Sequence, residues 1–162
     1  MKKAISILLV LILVLGLSAC SKTMSAQKVV TQANENIAAC KQYLEGLPLI
    51  LDGAFDKSTM TYTLTLAISS AEAYKDYIYN LHYKNLVANG FNSLSSIQKE
   101  AVIAQLMAQS DKCGDAETAI IALAIKELPM ENFEELGITL EIVYQNRNGT
   151  KTVIDKDTIP QA

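Results

Sequence analysis

Apolar residues fall into two regimes along this chain. Residues 4–17 form an almost unbroken apolar run, interrupted only by Ser6 and Gly16. Beyond residue 25 the apolar positions become periodic. Ala26, Val29, Val30, Ala33, Ile37, Cys40 and Leu44 follow steps of three and four, one face of an amphipathic helix. Ser25 is placed to cap its start, Gly46 to follow its end, and Pro48 to prevent continuation. Leu49 to Phe55 reads as a short strand broken by Asp52-Gly53, and Asp56-Lys57-Ser58 reads as a turn. After the turn the period changes to two. Met60, Tyr62, Leu64, Leu66 and Ile68 alternate with Thr59, Thr61, Thr63, Thr65 and Ala67, which predicts a strand with one buried face and one wet face. Threonine is a good strand former, so its row needs no special role.

Ser69 and Glu72 have capping-box spacing, and a helix is expected from there to about Asn89, closed by Gly90. Five rings lie in ten of its residues: Tyr74, Tyr77, Tyr79, His82 and Tyr83. Tyr74, Tyr77 and Leu81 share one face and Tyr79 and Tyr83 another, so a single helix cannot bury them all. Tyrosine joins a large apolar area to a polar tip, which makes these five rings the candidate interaction surface. The competing assignment is ordinary packing against the next helix.

A third helix is expected from Ser96 to Lys112, capped by Ser95 or Ser96 and stopped by Gly114. A fourth is expected from Ala116 to Leu128, capped by Asp115 and ended by Pro129. Within the fourth, Ala119 to Ile125 is apolar all round, the pattern of a helix covered on most sides. Pro129 to Leu136 can add an acidic turn. Ile138, Leu140, Ile142 and Tyr144 then alternate with polar residues, and Asn148-Gly149 supplies a hairpin turn into Thr150 to Ile154. Asn148-Gly149-Thr150 also matches a glycosylation acceptor, here incidental. The order is helix, two strands, helices, two strands. The expected class is α+β, an antiparallel sheet of about four strands from two hairpins, packed against about four helices.

The first regime carries a different message. Met1-Lys2-Lys3, the apolar run and the small residues Ser18 and Ala19 have the layout of a signal peptide. Leu17-Ser18-Ala19-Cys20 resembles the lipobox of bacterial lipoproteins, in which the cysteine takes a diacylglyceryl group and the signal is cleaved before it. The resemblance implies a signal over residues 1–19, a lipidated tether over 20–25 and a single domain over 26–162. Two acyl chains make an effectively permanent anchor, at about 0.8 kcal/mol per buried methylene. It also implies an extracytoplasmic address in the cell envelope. Ser21 is not the acidic residue that such proteins carry for inner-membrane retention, which favours the outer membrane in a cell with two. The order of elements and the closing hairpin, with Gly137-Ile138-Thr139 leading to Tyr144 and Asn148-Gly149, further resembles small uncharacterised bacterial lipoproteins. That likeness carries no catalytic residues with it.

Half of the residues are apolar (50%), but fourteen of the first nineteen account for the excess; the remainder is ordinary for one soluble domain. The net charge of -3 argues against nucleic acid. With Cys20 assigned to lipid, Cys40 and Cys113 are either a disulfide, as in many exported domains, or two buried thiols. The sequence holds no metal-ligand cluster, phosphate-binding glycine loop, dinucleotide fingerprint or nucleophile motif, and His82 is the only histidine. No metal, cofactor or catalytic residue is therefore expected. The acidic clusters Glu131 to Glu135 and Asp155 to Asp157 fall in turn-like segments. The leading expectation is a non-enzymatic, lipid-anchored module binding a protein or an envelope component. The alternatives are a hydrolase acting on an envelope polymer and a structural accessory subunit of an envelope or secretion complex. Replacing the lipobox cysteine, Cys20→Ser, is expected to leave full-length, unlipidated precursor. Metabolic labelling with a fatty acid checks this, and normal acyl labelling of the variant excludes the assignment.

Overall fold

The computed structural model describes residues 25–109 and 112–159, so the lipobox and Cys20 lie outside the described residues. Helix α1 (Ala26–Cys40) buries Val29, Val30, Ala33, Ile37 and Cys40, the stripe read from the periodicity. A 3-10 turn, Lys41–Leu44, carries the chain past Gly46 into strand β1 (Leu49–Asp56), which pairs antiparallel with β2 (Thr61–Ile68). In β2, Tyr62, Leu64, Leu66 and Ile68 are buried while the threonines between them stay partly open. Four helices follow: α2 (Ala71–Ala88), α3 (Ser96–Gln109), α4 (Asp115–Glu127) and α5 (Met130–Glu135). The chain closes with β3 (Thr139–Gln145) and β4 (Lys151–Ile154), joined through Gly149 at φ 79°.

The α+β class and the element order agree with the sequence pattern, but the sheet is mixed rather than antiparallel. Its order is β1-β2-β3-β4. Both hairpins are antiparallel as expected, yet β2 and β3 run parallel, with Thr61 beside Thr139 and Leu66 beside Tyr144. Parallel neighbours need a long crossover, and the helical block is that crossover. Local differences are smaller. Ser70, not Ser69, caps α2, accepting the Ala73 N–H at 3.3 Å, because the Ser69 N–H is still held by the Pro48 carbonyl at 2.9 Å. Gly114, not Asp115, occupies the cap position of α4. Helix α4 is covered on one side only: Ile121 and Ala124 are buried while Leu123 is exposed. For α3 the sequence reading stands at the start, while the described helix reaches Gln109 and Lys112 lies outside it. Ser95 and Gln98 exchange hydrogen bonds at its start, the Ser95 N–H to Gln98 Oε1 at 2.9 Å and the Gln98 N–H to Ser95 Oγ at 3.4 Å.

One face of the sheet meets the helices. Tyr62 is fully buried there, its ring 5.2 Å from that of Phe133 in α5. Its hydroxyl donates to Asn34 Oδ1 of α1 at 2.9 Å. To get there the ring crosses Gly53, one strand over, where a β-carbon would stand 2.0 Å from the Tyr62 hydroxyl oxygen. The glycine that weakened β1 in the sequence is thus the space through which the sheet grips α1. Gly53→Ala is expected to destabilise the fold by about 1–3 kcal/mol through overpacking, read as a lower urea midpoint with an unchanged slope.

Candidate functional site

Helix α2 starts at the end of β2 and carries all five rings singled out in the sequence. Its apolar residues are spread around the cylinder, so its two halves behave differently. In the first half Tyr74 and Ile78 are buried in the main core, and Tyr77 packs against it with its ring 5.9 Å from that of Tyr74. Among the described residues, no hydrophobic side chain from 79 to 102 belongs to that core. This stretch forms an arm with a cluster of its own: Tyr79 lies 5.5 Å from Tyr83 and 5.9 Å from the buried Phe91, and Lys99 Nζ sits 5.8 Å from the Phe91 centroid. Leu81, Tyr83 and Ile97 remain exposed on it, at 56%, 42% and 79%.

Where the arm leaves the body there is an open cleft of about 500 Å³. Ile78, Leu81 and Leu106 give it an apolar wall; His82, Lys112, Asp115 and Glu117 give it polar groups of both signs. Glu117 is its most constrained member. At 4% exposure it is the buried charged residue among the described residues, and both of its oxygens are occupied. Tyr74 donates its hydroxyl to Oε1 at 2.9 Å, and the Gly114 N–H donates to Oε2 at 3.2 Å. Glu117 thereby caps its own helix from the third position and ties α4 to α2. A buried carboxylate persists only with such partners, because stripping its water costs several kcal/mol otherwise.

The same environment acts on the tyrosines. Burial, then the Glu117 charge and its hydrogen bond, and then Tyr144 push the Tyr74 phenol far above its ordinary range. Burial and Glu117 also raise Tyr77. On the sheet, burial and the charge of Asp52 push Tyr62 up to about 12. The sulfurs do not form the bridge considered from sequence. Cys40 and Cys113 are separate free thiols. Cys40 lies in the core stripe of α1, and burial followed by the Glu127 charge raises it. Cys113 sits in the turn before α4 with its sulfur 3.6 Å from Thr118 Oγ1, and burial is the main influence raising it.

The five candidate rings are therefore divided. Tyr74 and His82 line the cleft, Tyr77 packs behind it, and Tyr79 and Tyr83 belong to the arm. Sequence reasoning missed Glu117, Asp115 and Lys112. The available signal was Glu117 standing three residues after a helix-stopping glycine and just before an apolar run. Chemically the cleft offers an apolar surface edged by a histidine and a lysine as donors and Asp115 as an acceptor. Its buried carboxylate is spent on holding two helices together. No group of three or more metal-ligating side chains occurs among the described residues.

Raised tyrosine pKa values stabilise the fold only while the phenols are neutral. Below pH ~10 tyrosine is protonated in both folded and unfolded chains; above it the unfolded chain ionises first, so stability is expected to fall as pH rises from about 10 through about 12. Alkaline titration of chemical stability checks this, and Tyr62→Phe and Tyr74→Phe should each flatten the decline. Tyr74→Phe should also cost about 1.5–3 kcal/mol at neutral pH, since it strips a hydrogen bond from a buried charge.

Comparison of the chain with protein-family models, with curated proteins and with solved structures yields no match.

Proposed function

We propose that this chain is a lipid-anchored protein of the bacterial cell envelope, held by diacylglyceryl-Cys20, whose α+β domain is a non-enzymatic binding module. Its partner is another protein or an envelope component, taken up by the arm of α2 and α3 and the cleft beside it. One observation carries the binding reading. The arm keeps large apolar side chains exposed, Leu81 in the wall of an open cleft and Tyr83 and Ile97 elsewhere on the arm, although burying a side chain of that size is worth about 1.5–3 kcal/mol. An enzymatic reading has less support. The buried carboxylate of the cleft is engaged at both oxygens by Tyr74 and Gly114, in the geometry of a helix cap rather than of a free base.

The anchor rests on Leu17-Ser18-Ala19-Cys20 following a cationic and apolar start. Among the described residues no helix is long and apolar enough to cross a membrane. In-cell crosslinking of the full-length protein followed by mass spectrometry tests the binding reading. The double variant Leu81→Ser, Ile97→Ser is expected to lose the crosslinked partner while its circular dichroism stays as in the parent and its stability shifts by no more than about 0.5 kcal/mol, as for exposed positions generally. Undiminished crosslinking in that variant excludes the arm as the binding surface.

A further inference from the structure

The two edges of the sheet are built differently. β4 is four residues long and begins with Lys151, a short and charged edge of the kind that resists adding strands. β1 is eight residues long, contains neither lysine nor proline, and leaves Ile50 exposed at 49%. It is the outermost strand. Alternate residues of an edge strand turn their N–H and C=O groups outward, and among the described residues no backbone hydrogen bond from another segment closes the outer side of β1.

A groove of about 310 Å³ runs between the start of this edge and the 3-10 turn before it, with Leu44, Leu49 and Leu51 in its lining. The strand itself carries two acids, Asp52 and Asp56, and no basic residue, and Glu45 and Lys41 stand in the lining of the groove. Lys41 stands 4.0 Å from Asp52, but both side chains are largely exposed, so the pair neutralises little. The register puts Leu49 and Leu51 on the face that meets the helices and Ile50, Asp52, Ala54 and Asp56 on the opposite, open face.

We propose that β1 is a docking edge for an extended basic segment of another polypeptide, which adds to the sheet as a fifth strand. The guest alternates. Its apolar side chains enter the groove beside Leu44 and Leu51, and its lysines or arginines lie on the open face against Asp52 and Asp56. Backbone pairing supplies the affinity, and the alternation with its charge supplies the selectivity. A second copy of this chain suits the edge poorly in the antiparallel register centred on Ala54, which sets Asp52 of each strand against Asp56 of the other, since like charges across strands repel. This surface is separate from the cleft and does not depend on it.

Hydrogen–deuterium exchange of the full-length protein in detergent micelles tests the proposal with two octapeptides, one alternating lysine and valine, the other glutamate and valine. The lysine–valine peptide is expected to slow exchange several-fold across residues 49–56 and to leave 151–154 unchanged; the glutamate–valine peptide is expected to do neither. The double variant Glu45→Lys, Asp52→Lys, at two exposed positions, should bind the basic peptide about tenfold more weakly through lost and reversed cross-strand charge pairs. Absence of protection in β1, equal protection by both peptides, or protection at β4 instead overturns it. So does a free protein that sediments as a dimer with β1 already protected, since the occupant is then a second copy.

Discussion

Because β2 and β3 lie side by side in the same direction, the chain that leaves the sheet at Ile68 has to be carried back to the end where Thr61 meets Thr139. Residues 69–138 make that return, and the helices, the arm and the cleft are all consequences of it. A hairpin would have joined these strands in a few residues and left no helical layer between them. The return ends in α5, where Phe133 packs on Tyr62 and the Thr139 N–H reaches the Met60 carbonyl at 2.9 Å. Tyr62 in turn holds α1 through Asn34, so one side chain near the start of β2 gathers the first helix, the last helix and the sheet.

At the other end of the crossover the tie is polar. Tyr74 joins α2 to α4 through Glu117, and Tyr144 of β3 acts on the same phenol. A buried network of this sort is expensive when broken and directional when whole. It fixes the angle between the first turns of α2 and α4 where apolar contact alone would let them slide. The cleft opens directly beside that tie, since Tyr74 and Glu117 belong to its wall. Beyond Ile78 the arm carries a ring cluster of its own in Tyr79, Tyr83 and Phe91.

Features governed by short-range periodicity were legible in the sequence: the buried stripe of α1, the alternation in β2, a serine cap at Ser95 or Ser96 and the Asn148-Gly149 turn. The division of rings on α2 was legible for the same reason. Tyr74 and Tyr77 are three apart and Tyr79 and Tyr83 four apart, and each pair meets as that spacing requires. Parallel pairing of β2 with β3 was not legible, because two alternating strands look the same whichever way they run. The fate of Glu117 depended on Tyr74, forty-three residues away, and no local pattern announces such a partner. The exposure of Leu123 has a similar origin. An all-apolar run suggests cover on every side, but α4 buries only Glu117, Ile121 and Ala124 and leaves Leu123 exposed, which depends on what the rest of the chain packs across it.

On the proposed anchoring, the direction of α1 sets which end of the domain lies nearer the membrane. Its last residues lead through Leu44 into the start of β1, and its middle touches Tyr62 and Gly53, so α1 runs opposite to β1 and begins toward the β1–β2 turn. Five residues separate Cys20 from Ala26, six steps of chain with a reach of at most about 20 Å. On the proposed anchoring, the β1–β2 turn therefore faces the bilayer and the strands rise away from it. Eight residues of strand span roughly 26 Å, and the Tyr74–Glu117 tie lies at the far end, where Tyr144 sits beside Leu66. The cleft then opens well clear of the lipid headgroups. Its mixed lining of Leu81, Leu106, His82 and Asp115 suits a protein segment or a soluble part of the envelope and does not suit the bilayer itself. On the proposed anchoring and binding, a tether this short keeps the domain near the membrane surface and raises the local concentration of any partner confined to the same layer, so affinity from modest exposed apolar area on the arm goes further.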